Sequence, residues 1–147
     1  MREIYKNYEL KVDGEPKMFR LAKPNAFSGV QILRLFMRLQ DQRNNEPVTV
    51  LDFIGSLSNE EMNMIMKTCL NNIDIILPAG PDPIMTQDEW NCLELKNDAR
   101  SCLALTIEEI SWTLESFFGE GGQASRPVVQ TSVRQSAQTS TDSSIFR

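Results

Sequence analysis

Residues 30–39 read VQILRLFMRL, and this stretch decides what kind of fold the chain can adopt. On a helical wheel its apolar residues cover an arc of roughly 220°, far wider than the stripe of about 100° on an ordinary surface helix. Gln31, Arg34 and Arg38 fill the remaining sector. The pattern predicts a central helix over residues 27–43 with neighbours on most sides and one narrow basic strip.

Two strands are expected before this helix. Apolar and polar residues alternate in segments 7–12 and 17–22, and Asp13-Gly14 between them is a turn signal. We therefore predict a β-hairpin over residues 7–22. An isolated two-stranded hairpin is marginally stable, so it must pack on a helix or pair with another chain.

Capping signals place the other helices. Sequences of the form S/T-x-x-E satisfy backbone amides at a helix start, and three of them occur, at Ser58–Glu61, Thr86–Glu89 and Thr106–Glu109. Together with Thr49, which can cap a short helix, they predict helices over 50–56, 59–72, 87–104 and 107–118.

The segment between Ser58–Glu61 and Thr86–Glu89 ends in two parts. Residues 73–77, IDIIL, favour a short strand beside the hairpin. Residues 78–83, PAGPDP, contain three prolines and predict a rigid loop over 78–85.

The composition changes after the sequence GEGG at 119–122. Of the 25 residues from Gln123 onward, thirteen are Ser, Thr or Gln, which is too polar to form a core. We expect a single globular domain over 1–122 and a flexible tail over 123–147. The predicted fold class is mainly α (α+β), with an N-terminal β-hairpin followed by a compact bundle of four to five helices.

The residue types present argue against a catalytic or metal-binding site. The chain has no histidine, and its three cysteines show no C-x-x-C spacing, so we expect neither a zinc site nor a nucleophilic triad. No other catalytic spacing and no phosphate loop is present. We therefore expect that the protein is not an enzyme and that it binds no cofactor, no nucleic acid and no membrane. The start of the chain lacks a hydrophobic signal region, which is typical of a cytosolic protein.

Charge is distributed unevenly along the chain. Residues 1–43 contain nine Lys or Arg against five Asp or Glu, and residues 44–122 contain three against fourteen. The two parts can neutralise each other within one fold, dock copies of the chain head to tail, or meet a charged partner. Arg34 and Arg38 are the basic groups that we expect at such a surface.

Two further side chains are candidates for partner contact. Trp112 lies among Glu108, Glu109 and Glu115, away from the expected apolar face, so it needs either a neighbouring element or a partner over it. Met64 falls off the apolar stripe of its helix and is either an ordinary exposed residue or a contact. The predicted partner-binding residues are thus Arg34, Arg38, Met64 and Trp112.

Three segments in this layout also resemble a known family. They are FSGVQILRLFMRLQ at 27–40 after the hairpin, SNEEMNMIMKTCL at 58–70, and LTIEEISWTLESFFGEGG at 105–122. Over residues 1–122 the chain resembles the tail assembly chaperones of long-tailed bacteriophages. That resemblance assigns no role to any single residue.

The resemblance implies a non-enzymatic chaperone in the host cytoplasm. Such a protein binds the tape-measure protein, tail-tube subunits or both during tail assembly, and a longer frameshifted product can accompany it. One alternative is a structural phage neck or tail-completion subunit whose C-terminal tail orders on its neighbours. A small enzyme of unknown class is the second alternative.

Overall fold

The computed structural model describes residues 4–118 of the chain. It contains a four-stranded antiparallel sheet in the order β1-β2-β3-β4, formed by Tyr5–Val12, Glu15–Ala22, Ile73–Leu77 and Gly80–Pro83. The predicted hairpin is confirmed. Asp13 and Gly14 have φ values of 54° and 81°, as a tight hairpin turn requires at both central positions.

Strand β3 extends the hairpin as predicted, with Phe19 opposite Ile75. The predicted loop over 78–85 is wrong, because residues 80–83 form β4 along the other side of β3. Ile84 donates its amide to Ile73 O, so by alternation Pro81 and Pro83 occupy positions whose amides would face outward. Proline is tolerated there because no ladder hydrogen bond is lost.

Three of the predicted helices are confirmed. They are α1 at Ala26–Gln42, α2 at Val50–Gly55 and α3 at Asn59–Leu70. Asn25 caps α1 by accepting a hydrogen bond from Ser28 N. Thr49 and Ser58 cap the next two, each in a reciprocal capping box.

The predicted helix over 87–104 is wrong. Its first part is a small hairpin of β5, Met85–Thr86, and β6, Glu89–Trp90, in which Thr86 lies opposite Glu89 instead of capping a helix. A single turn follows as α4, Leu93–Lys96. Asp98 then opens α5, Ala99–Phe118, by accepting a hydrogen bond from Ser101 N.

The predicted helix start at Thr106 is also wrong, because α5 runs through it. The Thr106 hydroxyl donates to Cys102 O at 2.8 Å, a bond to the preceding helical turn. The helix over 107–118 is therefore the second half of a longer one. A capping signature inside a continuous helix has no free amides to satisfy.

The buried residues form two clusters. The sheet-side cluster joins the sheet to part of α5 and consists of Val12, Phe19, Leu21, Leu70, Ile73, Ile75, Ile84, Met85, Leu95, Cys102, Leu105 and Trp112. The helical cluster consists of Ile32, Phe36, Leu39, Val48, Val50, Phe53, Ile65, Cys69, Ile107, Ile110 and Leu114. Helix α5 contributes to both, so it lies between them.

The central helix of the described residues is thus α5 and not α1. From residue 101 to residue 114 α5 is buried except at three half-buried positions, whereas α1 buries only Gly29, Ile32, Phe36 and Leu39. With a four-stranded sheet beside the helices, the fold is α+β rather than mainly α. The tail predicted over 123–147 lies outside the described residues.

Candidate partner-binding surface

Helix α1 has an apolar face that its own chain leaves uncovered. Phe27 is 90% exposed, and Val30 and Met37 are 45% and 48% exposed. Their spacing of three and seven residues places them on one side of the helix, with the exposed Arg34 between them. We call these four residues the outer face of α1. Single exposed apolar residues are ordinary, but three on one helix face form a patch.

The opposite face of α1 fixes the helix to the core. Phe36 is fully buried, and its ring meets Phe53 edge to face with centroids 5.5 Å apart. A side chain added at Gly29 would stand 3.9 Å from the Thr113 methyl group, which shows how closely α1 approaches α5. The outer face is therefore presented by a rigid element rather than by a loop.

The two arginines predicted for the surface have different environments. Arg38 donates two hydrogen bonds to Glu61, at 2.8 and 3.0 Å. Glu61 also accepts from Ser58 N in the capping box of α3. The Arg38 guanidinium, followed by the Ser58 amide, lowers the pKa of Glu61 to about 2. Arg38 is thus paired with an acid of its own chain.

Arg34 has no such neighbour. It is exposed, and the ion pairs formed within residues 4–118 do not include it. Its charge lies in the middle of the outer face of α1, between Val30 and Met37. The predicted basic strip therefore divides into one arginine that holds α1 to α3 and one that remains available.

Met64 and Trp112 face the interior. Met64 is half-buried against the helical cluster, and Trp112 is 9% exposed within the sheet-side cluster. Of the two alternatives for Trp112, the structure shows a neighbouring element over the ring. The four predicted contact residues therefore do not form one surface, and only Arg34 and Arg38 share a face.

The cover over Trp112 comes from the N-terminal part of the chain. Lys23 Nζ lies 5.2 Å and Lys6 Nζ 6.0 Å from the centroid of the ring, within the range of a cation–π interaction. Lys6 also donates to Glu108 at 2.8 Å. Lys6 of the hairpin and Glu108 of α5 thus neutralise each other within the fold, as one of the charge alternatives predicts.

Glu109, expected in the first turn of a helix that begins after Thr106, is a functional candidate that the sequence did not indicate. It is fully buried in the middle of α5, and neither carboxylate oxygen has a hydrogen-bond partner within residues 4–118. Burial, opposed by the charge of Lys6 and aided by that of Glu108, raises the pKa of Glu109 to about 9. The carboxyl group is therefore neutral at pH 7.

A second buried group lies near Glu109. Cys69 of α3 is fully buried, and burial, aided by the charge of Glu109, raises the pKa of its thiol.

The helical periodicity of α5 contains a signal for the inward position of Glu109. Glu109 lies four residues after Leu105 and three before Trp112, so once these two are known to face the sheet it must face inward with them.

The described residues contain no cluster of acids and cysteines that could hold a metal ion. No helix between residues 4 and 118 combines the length and the apolar character that crossing a bilayer requires. The outer face of α1 remains the feature of this part of the chain best suited to binding. Comparison of the chain with models of known protein families, with curated proteins and with solved structures finds no match.

Proposed function

We propose that this protein acts without catalysis, by holding a segment of another protein against the outer face of α1. The observation that carries the proposal is the exposed apolar patch of Phe27, Val30 and Met37 around Arg34. Apolar patches of this kind, rimmed by polar groups, are typical of protein-binding surfaces. The bundle behind the patch keeps it fixed, so little ordering is needed on the side of this protein.

The chemistry of the patch indicates its partner. Three apolar side chains spaced along one helix suit an amphipathic helix that lays its apolar side on them. Arg34 favours a partner with Asp or Glu near the middle of that helix, because the arginine has no acid of its own among the described residues. A long helical protein with acidic positions beside its apolar stripe has both properties.

The setting that we propose is bacteriophage tail assembly in the host cytoplasm. It rests on the similarity in layout between residues 1–122 and the tail assembly chaperones. In that setting the client is the tape-measure protein, the tail-tube subunit or both. A chaperone that covers apolar stripes of an elongated client until assembly needs an open patch of this type.

The test uses the full chain and the tape-measure and tube proteins from the same phage genome. Binding is measured by isothermal titration at low and at physiological salt. Phe27→Ser and Arg34→Glu should each weaken binding at least about tenfold, since the first removes the most exposed apolar side chain of the outer face and the second reverses the charge in its middle. The arginine variant should also reduce the dependence of affinity on salt.

Two matched controls lie elsewhere on the surface. Leu93 of α4 is 72% exposed and Arg100 of α5 is exposed, and neither belongs to α1. Leu93→Ser and Arg100→Glu repeat the same chemical changes and should leave affinity unchanged. Equal losses from the control pair, or no binding of either client by the wild-type chain, would refute the proposal.

A further inference from the structure

The two outer strands of the sheet differ in how their edges are protected. Pro81 and Pro83 remove two outward amides from β4, which blocks pairing with another strand. Strand β1, on the opposite edge, has eight residues, no proline and a continuous register with β2. A long edge without proline keeps its outward amides and carbonyls available to a further strand.

The register shows which groups β1 offers. Lys23 donates its amide to Ile4 O at 3.3 Å, and Tyr5 lies opposite Ala22. Because hydrogen-bonded and free positions alternate in an antiparallel pair, even-numbered residues of β1 bond to β2. The amides and carbonyls of Tyr5, Asn7, Glu9 and Lys11 therefore point outward, and their side chains are exposed.

We propose that this edge pairs antiparallel with β1 of a second copy, so that the two four-stranded sheets become one continuous sheet. In the register that overlaps the whole strand, Tyr5 lies opposite Lys11 of the second copy and Asn7 opposite its Glu9. The four outward residues of each copy then exchange about eight backbone hydrogen bonds across the twofold axis.

The outward side chains complement themselves in this register. Each pair joins a charged group to a neutral polar or aromatic one, so no like charges face each other. A shift by two residues in one direction brings Glu9 opposite Glu9 of the second copy, which is repulsive. A shift by four residues pairs Glu9 with Lys11 but leaves Tyr5 and Asn7 unpaired. Self-complementarity is what a twofold interface requires, and it favours a second copy over an unrelated strand.

The inference does not depend on the proposed function, since β1 contains none of the residues that we propose to contact a client. The first test of the inference measures the molar mass of the full chain by sedimentation equilibrium, from micromolar to millimolar concentration. The wild-type chain should show a monomer–dimer equilibrium. Asn7→Pro removes an outward amide without touching the β1–β2 ladder and should raise the dissociation constant at least tenfold, whereas Asn7→Thr keeps the amide and should not.

The second test fixes the register and does not need the proline variant to fold. Single variants Asn7→Cys and Glu9→Cys are mixed, with Cys92 replaced by serine in both. Residues directly opposite in adjacent strands lie within disulfide reach. Oxidation of the mixture should therefore give the Asn7→Cys to Glu9→Cys cross-link, in clear excess over either variant cross-linked to itself.

Three outcomes would overturn the inference. One is a chain that stays monomeric up to millimolar concentration. Another is a dimer whose cross-linking does not prefer the mixed pair, since the contact would then lie elsewhere. The third is a monomer in which the Asn7 and Glu9 amides are protected from hydrogen exchange, because another segment of the same chain would then cover the edge.

Discussion

Helices α1 and α5 are the two long helices of the described residues, and the rest of the chain covers them to different extents. Helix α1 has a wide apolar arc, yet it leaves Phe27, Val30 and Met37 exposed. Helix α5 contains Ser101, Thr106, Glu109, Ser111 and Thr113, yet all five are buried. The comparison shows that burial depends on how many elements surround a helix. Apolar residues on a helix face that no neighbouring element covers become part of the surface.

The largest expected effect concerns the buried carboxyl group of α5. The pKa of Glu109 is about 9 in the folded chain, against an ordinary value of 4.5. Folding therefore favours the protonated form, and this contribution to stability is fully present below pH 4.5 and is lost as the pH rises through about 9. Denaturant unfolding between pH 5 and pH 9 should show a falling free energy, with a slope approaching ~1 kcal/mol per pH unit.

The matched variants for this prediction are Glu109→Gln and Glu109→Met. Both lack the ionisable group, so their unfolding free energies should fall less steeply over the same range, and the methionine variant should exceed the wild type at pH 9. The charged or titratable neighbours Lys6, Glu108 and Cys69 remain in all three proteins. Parallel curves for the three would show that Glu109 is already ionised or solvated in the fold.

The next effect compares two phenylalanines on opposite faces of α1. Phe36→Ala should lower the free energy of unfolding by about 3 to 5 kcal/mol, since it empties a fully buried aromatic site beside Phe53. Phe27→Ala, on the outer face, should change it by less than about 0.5 kcal/mol. Urea titration of both variants measures the difference. A similar loss from each would mean that the outer face is covered in the free protein.

A smaller effect distinguishes how the two helices begin. Asn25 caps α1 with one hydrogen bond, to Ser28 N, whereas the Asp98 carboxylate accepts from both the amide and the hydroxyl of Ser101. Asn25→Ala should lower the unfolding free energy by about 1 kcal/mol and Asp98→Ala by about 2 kcal/mol. The reverse order in thermal or urea unfolding would contradict the assignment of α5 as the better anchored helix.

The smallest effect is expected at Met37. Met37→Gln makes the outer face of α1 more polar and should leave the melting temperature within about 2 °C of wild type, because about half of the side chain already lies in water and glutamine has a similar length and helix propensity. The matched change at the buried Leu39, to Gln, should prevent stable folding. Calorimetry of the two variants tests whether the boundary between the faces lies where α1 shows it.

The parts of the fold that local chemistry determines were predictable. Asp13-Gly14 specified the first hairpin, and the cap at Thr49 and the capping box at Ser58 specified α2 and α3. The small hairpin after Ile84 was not predictable, because Gln87 and Asp88 adopt φ values of 52° and 66° without the glycine that usually indicates such a turn. Thr86 and Glu89 match the S/T-x-x-E signature of a helix start, although they lie opposite each other in this hairpin.

The candidate site was predictable in part for the same reason. Arg34 follows from helix periodicity alone, so its exposure was expected. The positions of Trp112 and Glu109 depend on the hairpin region, about 90 residues earlier in the chain, which no local pattern connects to α5. The separation of Arg38 from Arg34 likewise depends on Glu61 of a different helix.

The place of α5 between the two clusters affects the order in which the protein can form during synthesis. The ion pair of Lys6 with Glu108 joins residues that are 102 positions apart, and both halves of the core need side chains of α5. Contacts between such distant residues require a large loop to close and slow the folding step. The hairpin leaves the ribosome first, but the side chains of α5 that complete the sheet-side cluster, Cys102, Leu105 and Trp112, follow about 80 to 90 residues later. A nascent chain of this protein should therefore remain unfolded, and dependent on cellular chaperones, until nearly all of the described residues have been made.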